Sequence, residues 1–215
     1  MNRKNISIKI INLAHRTDRR AECMQELNSL GLSDSDFQFF PAKLASDNGA
    51  IGCSYSHAMA LSQWLYNEDT DFCLVFEDDF HLLDPENFWQ KISGVIDYRK
   101  VWDLYLPASN AAIPVEATPL ENVFRVINAQ TTSAYLVGRL YATKLIGTFY
   151  QSAELMRQAK HVPTLNQATT KHFFALDSLW KNLQIKGTYW ASWPQIALQR
   201  PSFSDIEQST VDYKA

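Results

Sequence analysis

The sequence predicts a single α/β domain in which helices flank a sheet. Short apolar runs of strand length alternate along the chain with helical patterns, and this alternation favours βαβ units. With 215 residues, 46% of them hydrophobic, the chain is long and apolar enough for one core. The net charge of -3 gives no support to nucleic-acid binding, which normally shows a basic bias. We therefore expect one domain over residues 1–215, in which residues 194–215 form a covering tail.

The chain begins with a predicted strand, a basic loop and a helix. Residues 6–12 are predicted as a strand in which Ser7 and Lys9 interrupt the apolar residues, and a helical pattern from Thr17 ends at Gly31, a suitable C-terminal cap. Basic residues follow the strand and occupy the first helical turn: His15, Arg16, Arg19 and Arg20. Such a junction suits an anionic ligand such as a diphosphate, although a solvated basic helix start shows the same pattern.

A second strand and a second helix follow. Residues 37–40 give the strand, and residues 43–52 lack apolar periodicity. Ser54 or Ser56 is expected to cap the helix, which places His57 in its first turn. A lone histidine there is more often structural than ligand-binding, so the residues alone leave both roles open.

Three consecutive acids follow the apolar strand predicted over residues 72–76. Glu77, Asp78 and Asp79 repel one another unless a cation or hydrogen bonds hold them ionised, and hard divalent metals prefer such oxygen ligands. On an extended chain Glu77 and Asp79 share one side of the strand. Ligands of open α/β sheets bind at the carboxyl ends of strands. The triplet therefore predicts a metal-bound ligand, with a helix cap or solvent exposure as the alternative.

The second half of the chain continues the alternation. Asp84-Pro85 marks a helix start, and Asp177 suits the cap of a helix that stops at Gly187. Residues 107–121 contain three prolines and are expected to form a surface loop. The other predicted elements are strands over residues 102–106, 123–127, 134–137 and 189–193, a helix over residues 140–159 and a polar segment over residues 161–172.

The cysteines and the absence of long apolar stretches indicate the cellular compartment of the protein. Cys23, Cys53 and Cys73 are odd in number and widely spaced among apolar residues, which favours buried free thiols over disulfides or a zinc site. No stretch has the length and apolar character of a signal-peptide core or a membrane span. We therefore expect a cytoplasmic protein.

Several short motifs occur in a characteristic order along the chain. They are Ile11-Asn12-Leu13 with Arg19, Gly52-Cys53 with Ser56-His57, Leu74-Val75-Phe76-Glu77-Asp78-Asp79, Trp102-Asp103, Ala134-Tyr135, Asp177, and Gln199 with Ser204-Asp205-Ile206. In this order the sequence resembles glycosyltransferase family 25, the bacterial lipooligosaccharide galactosyl- and glucosyltransferases related to the collagen hydroxylysine galactosyltransferases. Two departures are Pro41-Ala42-Lys43-Leu44, which lacks the family's Asp-Gly, and Leu106-Pro107, where the family has Leu-Gly.

The resemblance implies a GT-A type fold with a single Rossmann-like mixed sheet, and an inverting transfer of galactose or glucose from a UDP-sugar. It implies a divalent cation, Mn²⁺ or Mg²⁺, held by Asp79 with Glu77 or Asp78. Inversion in one step needs a carboxylate base, for which Asp177 is the first candidate and Asp103 and Asp205 follow. The donor-binding residues expected from the motifs are Asn12, Arg16, Arg19, Ser56, His57, Asp78, Gln199 and Ser204.

The bacterial branch of the family implies a saccharide acceptor on a lipid carrier at the inner face of the inner membrane, in lipopolysaccharide or lipooligosaccharide biosynthesis. Trp190, Trp193 and Phe203 are candidates for sugar stacking or membrane contact, although aromatic residues are more often core. Two other classes fit the same residues. One is a metal-dependent hydrolase of nucleotide-sugars, and the other is a catalytically silent relative that binds a saccharide or a partner protein.

Overall fold

A large mixed sheet forms the centre of the molecule. The computed structural model describes residues 5–45, 48–204 and 209–211, with residues 202–204 and 209–211 described through their backbone alone. The strands of the sheet are β1 (Ile6–Asn12), β2 (Gln38–Pro41), β3 (Phe72–Glu77), β5 (Leu104–Leu106), β6 (Ile113–Ala117), β7 (Val123–Ile127), β8 (Ala134–Gly138) and β9 (Tyr189–Ser192). They pair in the order β2-β1-β3-β8-β5-β9-β7-β6.

The strand directions bring several strand ends to one edge of this sheet. β1, β2 and β3 run parallel to one another, and β8 runs antiparallel to both β3 and β5. β5 therefore points the same way as β3, and β9 does so too because it is parallel to β5. The ends of β1, β3, β5 and β9 and the beginning of β8 thus lie at one edge, which we call the carboxyl edge.

Helices cover both faces of the sheet. They are α1 (Thr17–Ser29), α2 (Gly49–Asn67), α3 (Phe88–Asp97), α4 (Arg139–Ala159), α5 (Gln167–Phe174), α6 (Leu176–Leu179) and α7 (Lys181–Lys186). The apolar alternation along β3 shows which helices pack on each face. Phe72, Leu74 and Phe76 share a core with α1 and α3, whereas Cys73 and Val75 share a core with α2 and α4. The predicted α/β fold, with a single mixed sheet flanked by helices, is confirmed.

Two small antiparallel pairs complete the described strands. β4 (Phe80–Leu82) pairs with β10 (Ala197–Gln199), and β11 (Ser202–Ser204) pairs with β12 (Ser209–Val211). The first pair sets Gln199 opposite Phe80, directly after the acidic triplet. The single domain with a covering tail over residues 194–215 stays a prediction.

The predicted beginning of α2 is wrong. The helix begins directly after Asn48, whose side chain accepts a hydrogen bond from the backbone N–H of Ala50 at 3.0 Å. Ser54 and Ser56 therefore lie inside the helix, where their hydroxyls donate to backbone carbonyls one turn earlier. His57 consequently lies in the third turn, not the first.

Three other predicted elements also differ. Residues 85–87 form a turn, so α3 begins at Phe88, while Asp84 accepts a hydrogen bond from the side chain of Asn87 at 3.0 Å. The predicted loop over residues 107–121 contains β6, the outermost strand of the sheet, and the predicted polar segment includes the beginning of α5. Within the described ranges, no helix combines the length and apolar character that crossing a bilayer requires.

Gly52 lies where α2 meets the loop over residues 43–45. A Cβ atom at this position would lie 2.3 Å from the carbonyl oxygen of Lys43 and 3.1 Å from the backbone nitrogen of Ala45. Because both contacts are with backbone, no side-chain rotation relieves them. Glycine therefore allows the loop to pack closely against the helix.

We predict that Gly52→Ala lowers the free energy of unfolding by about 1–3 kcal/mol, because the new methyl group overpacks this contact. Urea denaturation followed by circular dichroism measures the change. The matched control is Gly147→Ala in α4, where an added Cβ meets no atom within 4 Å. This control is expected to stabilise the helix by about 0.5–1 kcal/mol. Equal stabilities of the two variants would contradict the prediction.

Candidate active site at the carboxyl edge

The three acids after β3 contact helices on opposite faces of the sheet. Glu77 is the last residue of β3 and lies beside His57 of α2. Asp78 and Asp79 lie in a turn, and both contact Arg19 of α1. The extended alternation that sets Glu77 and Asp79 on one side does not apply, because the strand ends at Glu77.

Arg19 lies between the two aspartates. Its Nη1 donates to Asp78 Oδ1 at 2.7 Å and to Asp79 Oδ2 at 3.2 Å. Asn12, at the end of β1, donates from Nδ2 to the other oxygen of Asp78 at 2.7 Å. The three charged side chains are only 7–11% exposed. The structure therefore brings together Asn12, Arg19 and Asp78, three residues predicted to bind the donor, and uses both oxygens of Asp78 within the protein.

One carboxylate oxygen of Asp79 accepts hydrogen bonds, and the other accepts none. Its Oδ2 also accepts from Gln199 Nε2 at 3.1 Å, whereas its Oδ1 is buried and has no hydrogen-bond partner. Burial and the charge of Glu77 raise the pKa of Asp79 to about 7, although Arg19 opposes the rise. A buried carboxylate oxygen without a donor fits a cation ligand, because a bound cation would offset this loss of solvation.

Glu77 belongs to a second polar group on the α2 face. Its Oε1 accepts a hydrogen bond from Thr132 Oγ1 at 2.5 Å and lies 3.4 Å from His57 Nε2. The other ring nitrogen of His57 lies 3.0 Å from the hydroxyl of Tyr135. Burial alone would raise the pKa of Glu77, but His57 and the hydrogen bond from Thr132 outweigh it and hold the pKa below its ordinary value.

Asp177 reaches the same edge from α6. It lies in the first turn of this helix and does not cap it, because the N-cap residue is Ala175. Its Oδ2 accepts from the backbone N–H of Thr131 at 3.4 Å, and the Thr131 hydroxyl donates to Gln199 Oε1 at 2.9 Å. Burial raises the pKa of Asp177, and the charge of Glu77 adds to the rise. Since Gln199 also bonds Asp79, one hydrogen-bonded chain links Asp177 to the acidic triplet.

Asp103 is not brought to this edge. It precedes β5 and therefore lies at the opposite edge of the sheet, where it accepts a hydrogen bond from the backbone N–H of Thr188 at 2.8 Å. Asp205 lies outside the described residues, and the backbone of Ser204 belongs to β11.

Two predicted donor-binding side chains make local contacts. The Ser56 hydroxyl accepts from the backbone N–H of Lys43 at 2.7 Å and so anchors the loop that packs on Gly52. Arg16 pairs with Asp18 at 2.9 Å, while its backbone carbonyl accepts from the side chain of Asn12 at 3.3 Å. Their roles in donor binding stay predictions.

Sequence reasoning missed Cys53, Thr131, Thr132 and Arg200 as parts of this site. Thr131 and Thr132 belong to the polar run directly before β8, and Cys53 precedes His57 by one helical turn, so both signals were visible in the sequence. Arg200 gave no such signal. Its backbone N–H donates to the carbonyl of Asp79 at 2.6 Å.

The aromatic candidates near the end of the chain differ in exposure. Trp190 is 3% exposed and belongs to the core, so its assignment to a sugar or membrane surface is wrong. Trp193 follows β9 at the carboxyl edge and is 46% exposed. The side chain of Phe203 lies outside the described part of the chain.

Several buried polar atoms at the carboxyl edge have no hydrogen-bond partner. They are Asp79 Oδ1, His57 Nε2, Ser109 Oγ, Asn110 Oδ1 and Ser133 Oγ. Leaving one such group unsatisfied costs roughly 1–3 kcal/mol, and ligands of α/β sheets bind at this edge. The unsatisfied atoms therefore mark the edge as a candidate ligand site.

Left-handed backbone conformations occur in the two loops that precede β6 and β8. Ala111, Asn128 and Thr131 adopt left-handed conformations with φ of 52°, 60° and 66°. The loops that contain them are joined by a bridge between Asn110 and Gln130. The left-handed conformation is unfavourable for a β-branched residue such as Thr131, and such strain is typical of functional sites.

Comparison with known proteins supports the fold. No protein-family model matches the chain. No curated protein sequence matches it either. Among solved structures, the chain is similar to a glycosyltransferase involved in the glycosylation of the major capsid of PBCV-1, with a TM-score of 0.51 and 12% identity over 94% of this chain and 96% of that chain.

A second solved structure, A197 from STIV, is similar with a TM-score of 0.51 and 10% identity over 92% of this chain and 94% of that chain. At these identities the likeness concerns the fold alone. The fold is of the GT-A type, as the family resemblance implies.

Proposed function

We propose that this protein is an inverting glycosyltransferase of family 25 that transfers galactose or glucose from a UDP-sugar to a saccharide acceptor. The observation that carries the proposal is the meeting of Asp79, Asp177 and Gln199 at the carboxyl edge through one chain of hydrogen bonds. All three lie in motifs that resemble those of the family. The GT-A type fold supports the same conclusion.

A divalent cation, Mn²⁺ or Mg²⁺, would be held by Asp79 with Glu77. Asp79 offers the buried Oδ1 that lacks a partner, and Glu77 is the neighbouring carboxylate. When bound, the cation offsets the negative charge that develops on the diphosphate leaving group. Asp78 has a different task, because Arg19 and Asn12 occupy its two oxygens. Its ion pair holds the Arg19 guanidinium beside Asp79.

Asp177 is the proposed base for the acceptor hydroxyl. As that hydroxyl attacks the anomeric carbon, Asp177 takes its proton, and the bond from this carbon to the diphosphate breaks so that UDP leaves from the opposite face of the sugar. Burial raises the pKa of Asp177 toward neutral pH, and a general base is most effective when its pKa lies near the working pH. The hydrogen bond from the Thr131 N–H orients the carboxylate.

The proposed acceptor is a saccharide on a lipid carrier, used in lipopolysaccharide or lipooligosaccharide biosynthesis at the inner face of the inner membrane. The family resemblance supports this assignment. Trp193 adds a half-exposed indole at the carboxyl edge, a surface on which a sugar ring can stack.

The first test is donor binding. We expect UDP, UDP-glucose or UDP-galactose to raise the melting temperature in the presence of Mn²⁺ but not in EDTA, since a ligand that binds the native state stabilises it. GDP-mannose and CMP-sialic acid serve as control donors. Asp79→Ala is expected to abolish the metal-dependent shift, with Asp79→Asn as a second variant because alanine also removes the Arg19 and Gln199 contacts.

The outcomes separate the three functional classes. Release of free hexose at the same rate with and without acceptor would indicate the hydrolase. The absence of a shift with every nucleotide would favour the silent relative. An unchanged UDP shift in both Asp79 variants would reject the metal role of Asp79.

The second test concerns the base. We predict that Asp177→Asn lowers turnover at least about a hundredfold while donor binding is retained, because the variant loses proton transfer. Single-turnover assays with UDP-hexose, together with the thermal shift, measure both quantities. Asp103→Asn is the matched control and is expected to keep near-normal turnover, since Asp103 lies at the opposite sheet edge. Near-normal turnover in Asp177→Asn would reject the assignment.

A further inference from the structure

We propose that Cys53, His57 and Glu77 form a site for zinc. The Cys53 Sγ, one ring nitrogen of His57 and one carboxylate oxygen of Glu77 all lie within 4.8 Å of one another. Over the described ranges, this is the one group of three or more histidine, cysteine and acidic side chains that meets this distance. The three residue types are those found in zinc sites.

Two rigid elements present these ligands. Cys53 and His57 are four residues apart on α2, so they lie on one side of the helix. Glu77 is the last residue of β3. The close approach of Gly52 to the backbone at Lys43 packs the first turns of the helix against the loop over residues 43–45. The ligands therefore depend on the packing of the fold and not on a loose loop.

The state of His57 is the second observation that supports a metal. His57 is fully buried, and its Nε2 has no hydrogen-bond partner although it lies 3.4 Å from Glu77 Oε1. Its Nδ1 lies 3.0 Å from the Tyr135 hydroxyl. A metal in this group would take the Nε2 lone pair of the tautomer whose Nδ1–H donates to the Tyr135 hydroxyl. Metal-bound histidines usually have such a partner on the second ring nitrogen.

The donor set selects the metal. A thiolate and an imidazole favour zinc over Mg²⁺ and Mn²⁺, which prefer oxygen ligands. Cys53 also lies near the carboxylates of Asp177 and Asp79, with Lys171 as the nearby cation. This surplus of negative charge favours a divalent ion. Three protein ligands leave a fourth position for water or substrate, as in catalytic zinc sites.

The zinc site does not depend on the proposed transferase function. It shares Glu77 with the proposed Mn²⁺ or Mg²⁺ site and leaves Asp79 for the cation at the diphosphate. The two sites also differ in their preferred ions, so they are tested separately. The sequence predicts that all three cysteines are free thiols. The zinc site would change this prediction for Cys53 alone, which would be a metal ligand.

Cobalt(II) is the probe, because it occupies zinc sites and reports thiolate ligation by its absorption. We expect the metal-free full chain to bind Co²⁺ with a thiolate-to-cobalt charge-transfer band that one equivalent of zinc removes. Cys53→Ser should lose the band. Cys73→Ser is the matched control and should keep it, since Cys73 lies four residues before Glu77 in β3 and is not a member of this group. Tyr135→Phe should weaken cobalt binding roughly 10–100-fold by removing the partner of His57.

Each variant is first checked by circular dichroism, and His57→Gln provides an independent ligand variant if Cys53→Ser does not fold. No thiolate band in the wild-type protein would overturn the proposal, and so would a band that Cys53→Ser retains. The UDP thermal shift with Mn²⁺ is measured on the same samples. A missing cobalt band with an intact UDP shift would overturn the zinc site alone.

Discussion

The buried ion pair between Arg19 and the two aspartates after β3 is the interaction on which the carboxyl edge depends. It joins α1 to the end of β3, while Asn12 ties β1 to Asp78 and Gln199 brings β10 to Asp79. Removing charged groups from water is costly, so such a pair persists only when hydrogen bonds satisfy its atoms. Both oxygens of Asp78 meet this condition, whereas Oδ1 of Asp79 does not. The network therefore fixes four chain segments and leaves one acceptor for a ligand.

Much of the fold could be predicted because the inner strands are short and mostly apolar. The predicted strand over residues 6–12 coincides with β1, and the acids directly after β3 mark its end. The start of α2 was missed because its cap, Asn48, precedes a helical turn without apolar periodicity. β6 was missed for a related reason: all of its residues are exposed, and Pro114 interrupts it. Apolar periodicity reveals only elements that bury side chains, so an edge strand whose residues are all exposed gives no such signal.

The site was predictable where its residues adjoin in sequence and not where only the fold joins them. The acidic triplet was predicted because its three residues are consecutive and directly follow a buried strand. The partners of these acids could not be predicted. Arg19 belongs to α1, which is distant in sequence, and the contact of Glu77 with His57 depends on the face of the sheet that each side chain occupies. Asp103 illustrates another limit. Its strand was foreseen but not its direction, and the direction of β5 sets this carboxylate at the opposite edge.

The docking of the C-terminal segment has a consequence for how the protein acquires its site. Gln199 bonds Asp79 across 120 residues, and Arg200 pairs with Glu22 and Glu26 of α1 across more than 170. Contacts between such distant positions carry the largest loop-closure entropy and tend to form late in folding. During synthesis, the sheet strands β1 and β3 emerge from the ribosome long before these partners do. The nascent chain therefore carries an incomplete acidic edge until residue 200 has emerged.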